Sequence, residues 1–206
     1  MPSAEGDARK HLAWIVAAGG EADPQHRADE LLAEFGSLGA VLAASPARLE
    51  RSVRNPGAAV LGISRFNAAI FHVLRSRITA RSLLSSMPDV IDYLRFDLSY
   101  IAHERIRVLH LDARNRLIRD EQMGDSKATK ALITVHSIVQ RALDLGSASL
   151  ILVHNHPSGD PTPSSQDIDL TRRIVEDAMA HDIAVIDHLV IGAEQVFSFH
   201  HAGMLA

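Results

Sequence analysis

Residues 152–167 read Leu-Val-His-Asn-His-Pro-Ser-Gly-Asp-Pro-Thr-Pro-Ser-Ser-Gln-Asp and hold the side chains best suited to chemistry. His154 and His156 are two apart, and on a strand such residues share a face. Two imidazoles on one face can take a single metal ion. Pro157, Pro161 and Pro163 stiffen the loop that follows, and Gly159 lets it turn. Ser164 is placed to cap the next helix, which puts Asp167 in its first turn and back beside the histidines. Two histidines and one carboxylate leave a tetrahedral ion one open position, the arrangement of a catalytic zinc site with water as fourth ligand. Such an ion lowers the water pKa toward about 7 and polarises a carbonyl. Taken singly, His-x-His is a common surface pattern and Ser-x-x-Asp a capping box. The coincidence of strand end, paired histidines, rigid loop, cap and carboxylate within 14 residues points to a metal. Asp160 is the alternative carboxylate, and other divalent ions accept the same donors.

The elements around this stretch must deliver it. An apolar strand at 149–153 leads to the histidines, a helix spans 164–181, and strands follow at 183–191 and 196–199. Upstream, a helix is predicted at 89–101 and a strand over 106–111, where Ile106, Val108 and His110 alternate with Arg105 and Arg107. Asp112-Ala113-Arg114-Asn115 is a hairpin turn into a second strand at 116–120. Residues 131–134 are a candidate third strand, and a helix at 135–145 closes on Gly146. The pattern gives an α/β (α+β) domain over 88–206. Residues 1–85 read as a small helical bundle, with helices at 11–18, 25–35, 37–44, from Pro46, and at 64–81, separated by turns such as Asn55-Pro56-Gly57. Residues 82–88 read as a linker.

Composition narrows the function. The chain has 206 residues, 47% hydrophobic and 22% charged, a soluble globular balance. Its net charge of −4 is unlike that of a strongly basic nucleic-acid binder. Arg48, Arg51, Arg54, Arg65, Arg75, Arg77 and Arg81 nevertheless cluster with Glu50 as the sole acid of that stretch. They suit a phosphate-facing patch, a solvated helical face or a domain interface. There is no cysteine, which excludes disulfides, thiolate metal sites and cysteine nucleophiles, whereas 12 histidines make a His/Asp/Glu site feasible. No unbroken apolar run approaches the roughly 20 residues of a membrane span. The polar N-terminus lacks the apolar core of a secretory signal, so a cytoplasmic protein without membrane partners is expected.

The run His-x-His-Pro, then Ser-x-x-Asp, resembles the JAMM (MPN-plus, or JAB) metallohydrolase signature. The segment His-Asn-His-Pro-Ser-Gly-Asp-Pro-Thr-Pro-Ser is similar to its RadC branch, as are Asp187-His188-Leu189-Val190-Ile191-Gly192 and residues 109–118. The likeness extends over 25–204 and is strongest from 88 onward. It implies a mixed sheet with flanking helices, zinc on His154, His156 and Asp167, and cleavage of a peptide or isopeptide bond in a peptide or protein substrate. It further implies a glutamate at the start of an upstream strand as general acid/base, which Glu104 fits, with Glu121 as the alternative. Ser164 would then donate to the oxyanion of a tetrahedral intermediate, a use of its hydroxyl that competes with capping the helix. His188 is either a neighbour of the metal or a packed core histidine, and His200-His201 reads as surface. Two places depart from the family pattern: Ser126-Lys127 stands where Gly-Thr is usual, and Val135-His136-Ser137 where Pro-Arg-Glu is usual. The segment Arg27-Ala28-Asp29-Glu30-Leu31-Leu32 with Phe35-Gly36-Ser37-Leu38 resembles the helix-hairpin-helix-like region that precedes the catalytic domain in RadC proteins. It is degenerate here, because Asn55-Pro56-Gly57-Ala58-Ala59 replaces the Gly-hydrophobic-Gly turn that would bind phosphate. The other functions open to such a chain are a DNA-associated role, by nucleic-acid binding or phosphodiester hydrolysis, and a non-catalytic MPN-type protein-binding module.

Overall fold

The computed structural model describes residues 4–79, 82–124 and 135–205. Two compact units divide the chain, Met1–Val73 and Leu74–Ala206. The first is built on helices α1 (Ala4–Ala17), α2 (Pro24–Phe35), α3 (Leu38–Ala43), α4 (Pro46–Ser52) and most of α5 (Gly57–Thr79). Small polar side chains start three of them. Asp23 accepts from the His26 N–H, Ser37 from that of Ala40 and Ser45 from that of Arg48, each satisfying an orphan helix donor. Leu12, Val16, Ala28, Leu31, Val41, Leu49, Ala59 and Ile63 make the core of this unit.

Helix α5 begins at Gly57, not at 64. Asn55 completes the preceding turn in the left-handed region (φ 48°), and the chain enters the helix directly after Pro56. Gly62 is tolerated inside it because α1 crosses there: a Cβ at Gly62 would lie 2.3 Å from the Ile15 carbonyl oxygen. By length and composition α5 could cross a membrane, although Ser64, Arg65 and Asn67 interrupt its apolar run. It supplies Ala59 and Ile63 to the core of this unit, and most of its apolar stretch is not buried.

The second unit starts with structure where a linker was expected. Leu83–Ser86 is a 3-10 helix and α6 (Met87–Leu98) follows without a break. Leu83 is fully buried, and its N–H donates to the Asn115 carbonyl in the hairpin turn at 2.8 Å. Next come β1 (Ile106–Leu111), β2 (Leu117–Gly124), α7 (Val135–Leu145), β3 (Ser149–Asn155), α8 (Ser165–Met179), β4 (Ala184–Ile191) and β5 (Val196–Ser198). The expected strand at 131–134 lies outside the described residues.

The five strands form one mixed sheet in the order β2-β1-β3-β4-β5, with β3 and β4 parallel and the other pairs antiparallel. β3 is buried along its whole length, as its run of Leu150, Ile151, Leu152 and Val153 requires of a central strand. Helices α7 and α8 cover one face through Ile138, Val139, Ala142, Ile174 and Ala178, which pack with Val108, Leu150 and Leu152 of the sheet. Elsewhere α6 meets β1 through Arg107, whose buried guanidinium bonds Asp97, Asp120 and the Tyr93 hydroxyl. The central position of β3 matters most, because it carries the histidine pair to the sheet's edge of strand ends.

Candidate metal centre

His154 is next to last in β3, opposite Ile106 of β1 and Val190 of β4, and is buried. His156 is one residue past the strand. Its backbone N–H donates to the Ile191 carbonyl at 2.9 Å, which extends the strand pairing beyond β3. Its ring Nδ1 faces the Asp160 carbonyl oxygen at 2.8 Å. A carbonyl only accepts, so His156 carries a proton on Nδ1, and Nε2 is the nitrogen that faces His154. Gly159 makes this loop possible: it takes φ 84°, and the loop packs backbone to backbone on Gly192, where a Cβ would sit 2.4 Å from the Gly159 oxygen.

Asp167 reaches the histidines from α8. The Ser164 hydroxyl accepts the Asp167 N–H at 3.2 Å, and Asp167 Oδ2 accepts the Ser164 N–H at 2.8 Å, a reciprocal capping box. The Ser164 hydroxyl also donates to Oδ2 at 2.6 Å, so its proton is engaged in orienting the carboxylate. Contact with an oxyanion would require that bond to be exchanged. Burial pushes the Asp167 carboxyl upward, but hydrogen bonds from His154 and Ser164 outweigh it and hold the group far below the usual carboxylate range.

His154 Nε2 and His156 Nε2 are 3.0 Å apart, and each is 3.4 Å from an oxygen of Asp167. Tetrahedral ligands bonded at about 2.0–2.1 Å stand about 3.3 Å from one another. The two nitrogens and the carboxylate are therefore close to the separation that ligands of one ion need, His154 meeting Oδ1 of Asp167 and His156 meeting Oδ2. Glu104 completes the group, with one ligand atom from each of Glu104, His154, His156 and Asp167 lying within 4.8 Å of the others. A cavity of about 20 Å³ adjoins them, lined by Glu104, Ile106, Leu152, Leu170, Ile174 and His188 among others.

Glu104 belongs to the loop before β1, and Asn155 holds that loop. Asn155 Nδ2 donates to the carbonyls of His103 at 3.1 Å and Ile101 at 3.3 Å, and Oδ1 accepts from the Arg105 N–H. This buried amide was not singled out in the sequence. Its signal was an amide side chain at the end of a fully buried strand whose middle, Leu150 to Val153, is apolar. His188, weighed as metal neighbour or core residue, is both buried and 2.8 Å from His154 Nδ1, and its own Nδ1 lies 2.6 Å from the Thr171 hydroxyl. Thr171 was also missed.

The alternatives lie apart from this group. Glu121 accepts from Arg141 Nε at 2.7 Å. The Asp160 carboxylate is held by the Thr162 N–H at 2.9 Å and hydroxyl at 2.7 Å. His200 and His201 are exposed. Val135, His136 and Ser137 open α7, whereas Ser126 and Lys127 lie outside the described residues. Arg48, Arg51, Arg54 and Arg65 are exposed, with Arg48 stacked over the Phe35 ring at 4.7 Å. Arg81 lies outside the described residues.

Residues 84–204 match the RadC-like JAB domain family. The chain belongs to that family. A relative described as a UPF0758 protein, from Rhodobacter capsulatus, is 42% identical over 183 residues, which is 89% of this chain and 86% of the relative. The matched span contains the whole sheet and all four clustered side chains of this RadC-like protein. Membership of the JAB family and the Glu-His-His-Asp group are compatible with a metal-dependent hydrolase.

Proposed function

We propose that this RadC-like protein is a zinc-dependent hydrolase that cleaves peptide or isopeptide bonds in a peptide or protein substrate. The observation that carries the reading is the convergence of His154 Nε2, His156 Nε2 and the Asp167 carboxylate within 3.4 Å of one another, with the Glu104 carboxylate beside them. Nitrogen and carboxylate donors without thiolate, three in number, match the protein share of a catalytic zinc site. A zinc ion held by these residues supplies Lewis acidity at the substrate carbonyl and lowers the pKa of the attacking water.

The side chains do the rest. Glu104 takes a proton from the water as its oxygen bonds to the carbonyl carbon. It returns the proton to the nitrogen as the carbon–nitrogen bond breaks, so a neutral amine leaves. Asp167 supplies negative charge and is kept ionised by His154 and Ser164. Ser164, once its hydroxyl exchanges partners, donates to the oxyanion. The apolar walls of Ile106, Leu152 and Leu170 lower the local dielectric, which strengthens each of these interactions.

Zinc-loaded protein incubated with lysine-linked isopeptides and a peptide library tests the proposal. Wild type is expected to cleave at least one of them, and Glu104→Gln to keep its zinc while losing about 100-fold or more in rate. Loaded wild type that cleaves neither class, or a Glu104→Gln protein that cleaves as fast, would sink it.

A further inference from the structure

A histidine presents one nitrogen to a metal, and the hydrogen bond at the other nitrogen decides which. For His154 that bond runs to another histidine, and the chain of partners can be followed to its end. The Thr171 hydroxyl donates to the Asp167 main-chain carbonyl at 2.6 Å. A hydroxyl has one proton, so toward His188 Nδ1, 2.6 Å away, its oxygen can only accept. His188 therefore carries its proton on Nδ1. Its Nε2 is then an acceptor and takes the Nδ1 proton of His154 across 2.8 Å. Nε2 of His154 is then the nitrogen aimed at His156 Nε2 and Asp167, the one a metal would take in place of a proton.

The chain closes on itself. It leaves the Asp167 backbone on α8, passes through Thr171 and His188 of β4, and returns through His154 of β3 to the Asp167 carboxylate. His188 has little freedom to break it. Its ring stacks on Phe199 with centroids 4.8 Å apart and planes 18° from parallel, and its N–H is held by Asp187 at 2.7 Å.

We propose that His188 and Thr171 are positioning residues that set the tautomer of His154 and so make its Nε2 the metal-facing atom. The proposal rests on the reading of His154 as a zinc ligand. Thr171→Val keeps the shape but removes the acceptor for His188. His188 can then carry its proton on Nε2 and donate to His154, which fixes the His154 proton on the nitrogen that should face the metal. His188→Phe keeps the stacking and removes the acceptor for His154. Thr171→Ser and His188→Gln restore the acceptors.

The test is zinc affinity by competition with a fluorescent chelator, together with nitrogen-15 NMR of the histidine rings in the zinc-loaded protein. Thr171→Val and His188→Phe should weaken zinc binding by about 10–100-fold, the range for lost metal-orienting partners, while Thr171→Ser and His188→Gln stay within a few-fold of wild type. The wild-type spectrum should show protons on Nδ1 of both His154 and His188. A proton on His188 Nε2, or unchanged zinc affinity in Thr171→Val, would overturn the assignment. Thr171→Val, the gentler change, decides if His188→Phe does not fold. Wild type that takes up no zinc would overturn the hydrolase reading and this assignment together. Zinc binding that is tight in wild type and equally tight in both variants would overturn this assignment alone.

Discussion

The side-chain oxygen of Asn155 accepts the backbone N–H of Arg105 at 2.8 Å, and so the residue between the two histidines grips the residue after Glu104. With its bonds to the Ile101 and His103 carbonyls, Asn155 satisfies three main-chain groups of one loop. Asn155→Ala should cost about 1–3 kcal/mol, the penalty of leaving such groups unpaired. Zinc stoichiometry should persist, because no metal-facing atom is removed, but the amide of Arg105 should exchange with solvent much faster. Hydrogen exchange followed by mass spectrometry checks this, and unchanged protection at 101–105 would rule out the clamp.

Ser164 holds Asp167 by three hydrogen bonds, as cap and as carboxylate partner. The bond from its backbone N–H survives a side-chain change. Ser164→Ala should therefore cost about 1 kcal/mol of stability as a lost cap and weaken zinc binding by about 10-fold or more. Ser165→Ala, at an exposed neighbour, should do neither. Thermal melts and zinc titrations of the two variants should separate them, and equal behaviour would remove the special role of Ser164.

His110 is fully buried on β1 with Nδ1 against the Ser147 hydroxyl at 3.1 Å. Burial drives its pKa down to about 4, against a smaller upward pull from Glu121. Its reference value is about 6.5, so between about pH 6.5 and 4 the unfolded chain binds more protons than the folded one. The contribution of His110 is complete above that window and is lost as pH falls through it, at up to about 1.4 kcal/mol per pH unit. Urea midpoints of chelator-treated wild type should drop more between pH 7 and 5 than those of His110→Gln. Parallel curves would show that another group governs acid sensitivity.

Gly62 lets α5 approach α1. Added to the glycine, a Cβ would meet the Ile15 carbonyl oxygen at 2.3 Å and the Gly19 nitrogen at 3.2 Å, and both are backbone atoms that cannot rotate away. In an exposed helix Gly→Ala would stabilise by up to about 1 kcal/mol. Here the forced separation should reverse the sign and destabilise the first unit by about 1–3 kcal/mol. Denaturant unfolding of Gly62→Ala measures it, and a variant as stable as wild type would show that the crossing yields.

Short-range pattern was enough to read much of the fold and part of the site. Caps, alternation and turn residues located β1, β3, α8 and most of the N-terminal helices, because each depends on residues within one or two turns of one another. His154, His156 and Asp167 were legible for the same reason: strand, loop and first helical turn are contiguous, so their spacing encodes their meeting. Glu104 was different. Nothing local marks it, and it was named through resemblance to the family. It reaches the site because β1 pairs with β3 and sets Ile106 opposite His154.

Long-range packing decided what remained. Helix α5 starts earlier than residue 64 because Gly57, read as part of the turn with Asn55 and Pro56, already belongs to the helix, and the crossing of α1 accommodates Gly62. Residues 82–88 read as a linker, yet Leu83 is buried and bonded to the hairpin turn. Asn155, His188 and Thr171 showed their partners only once β3, β4 and α8 lay side by side. Spacing along the chain is enough to name the donor atoms that one short segment offers a metal. The groups from distant segments that orient those atoms emerge only from packing, since a hydrogen bond at 2.8 Å between β3 and β4 leaves no trace in spacing along the chain.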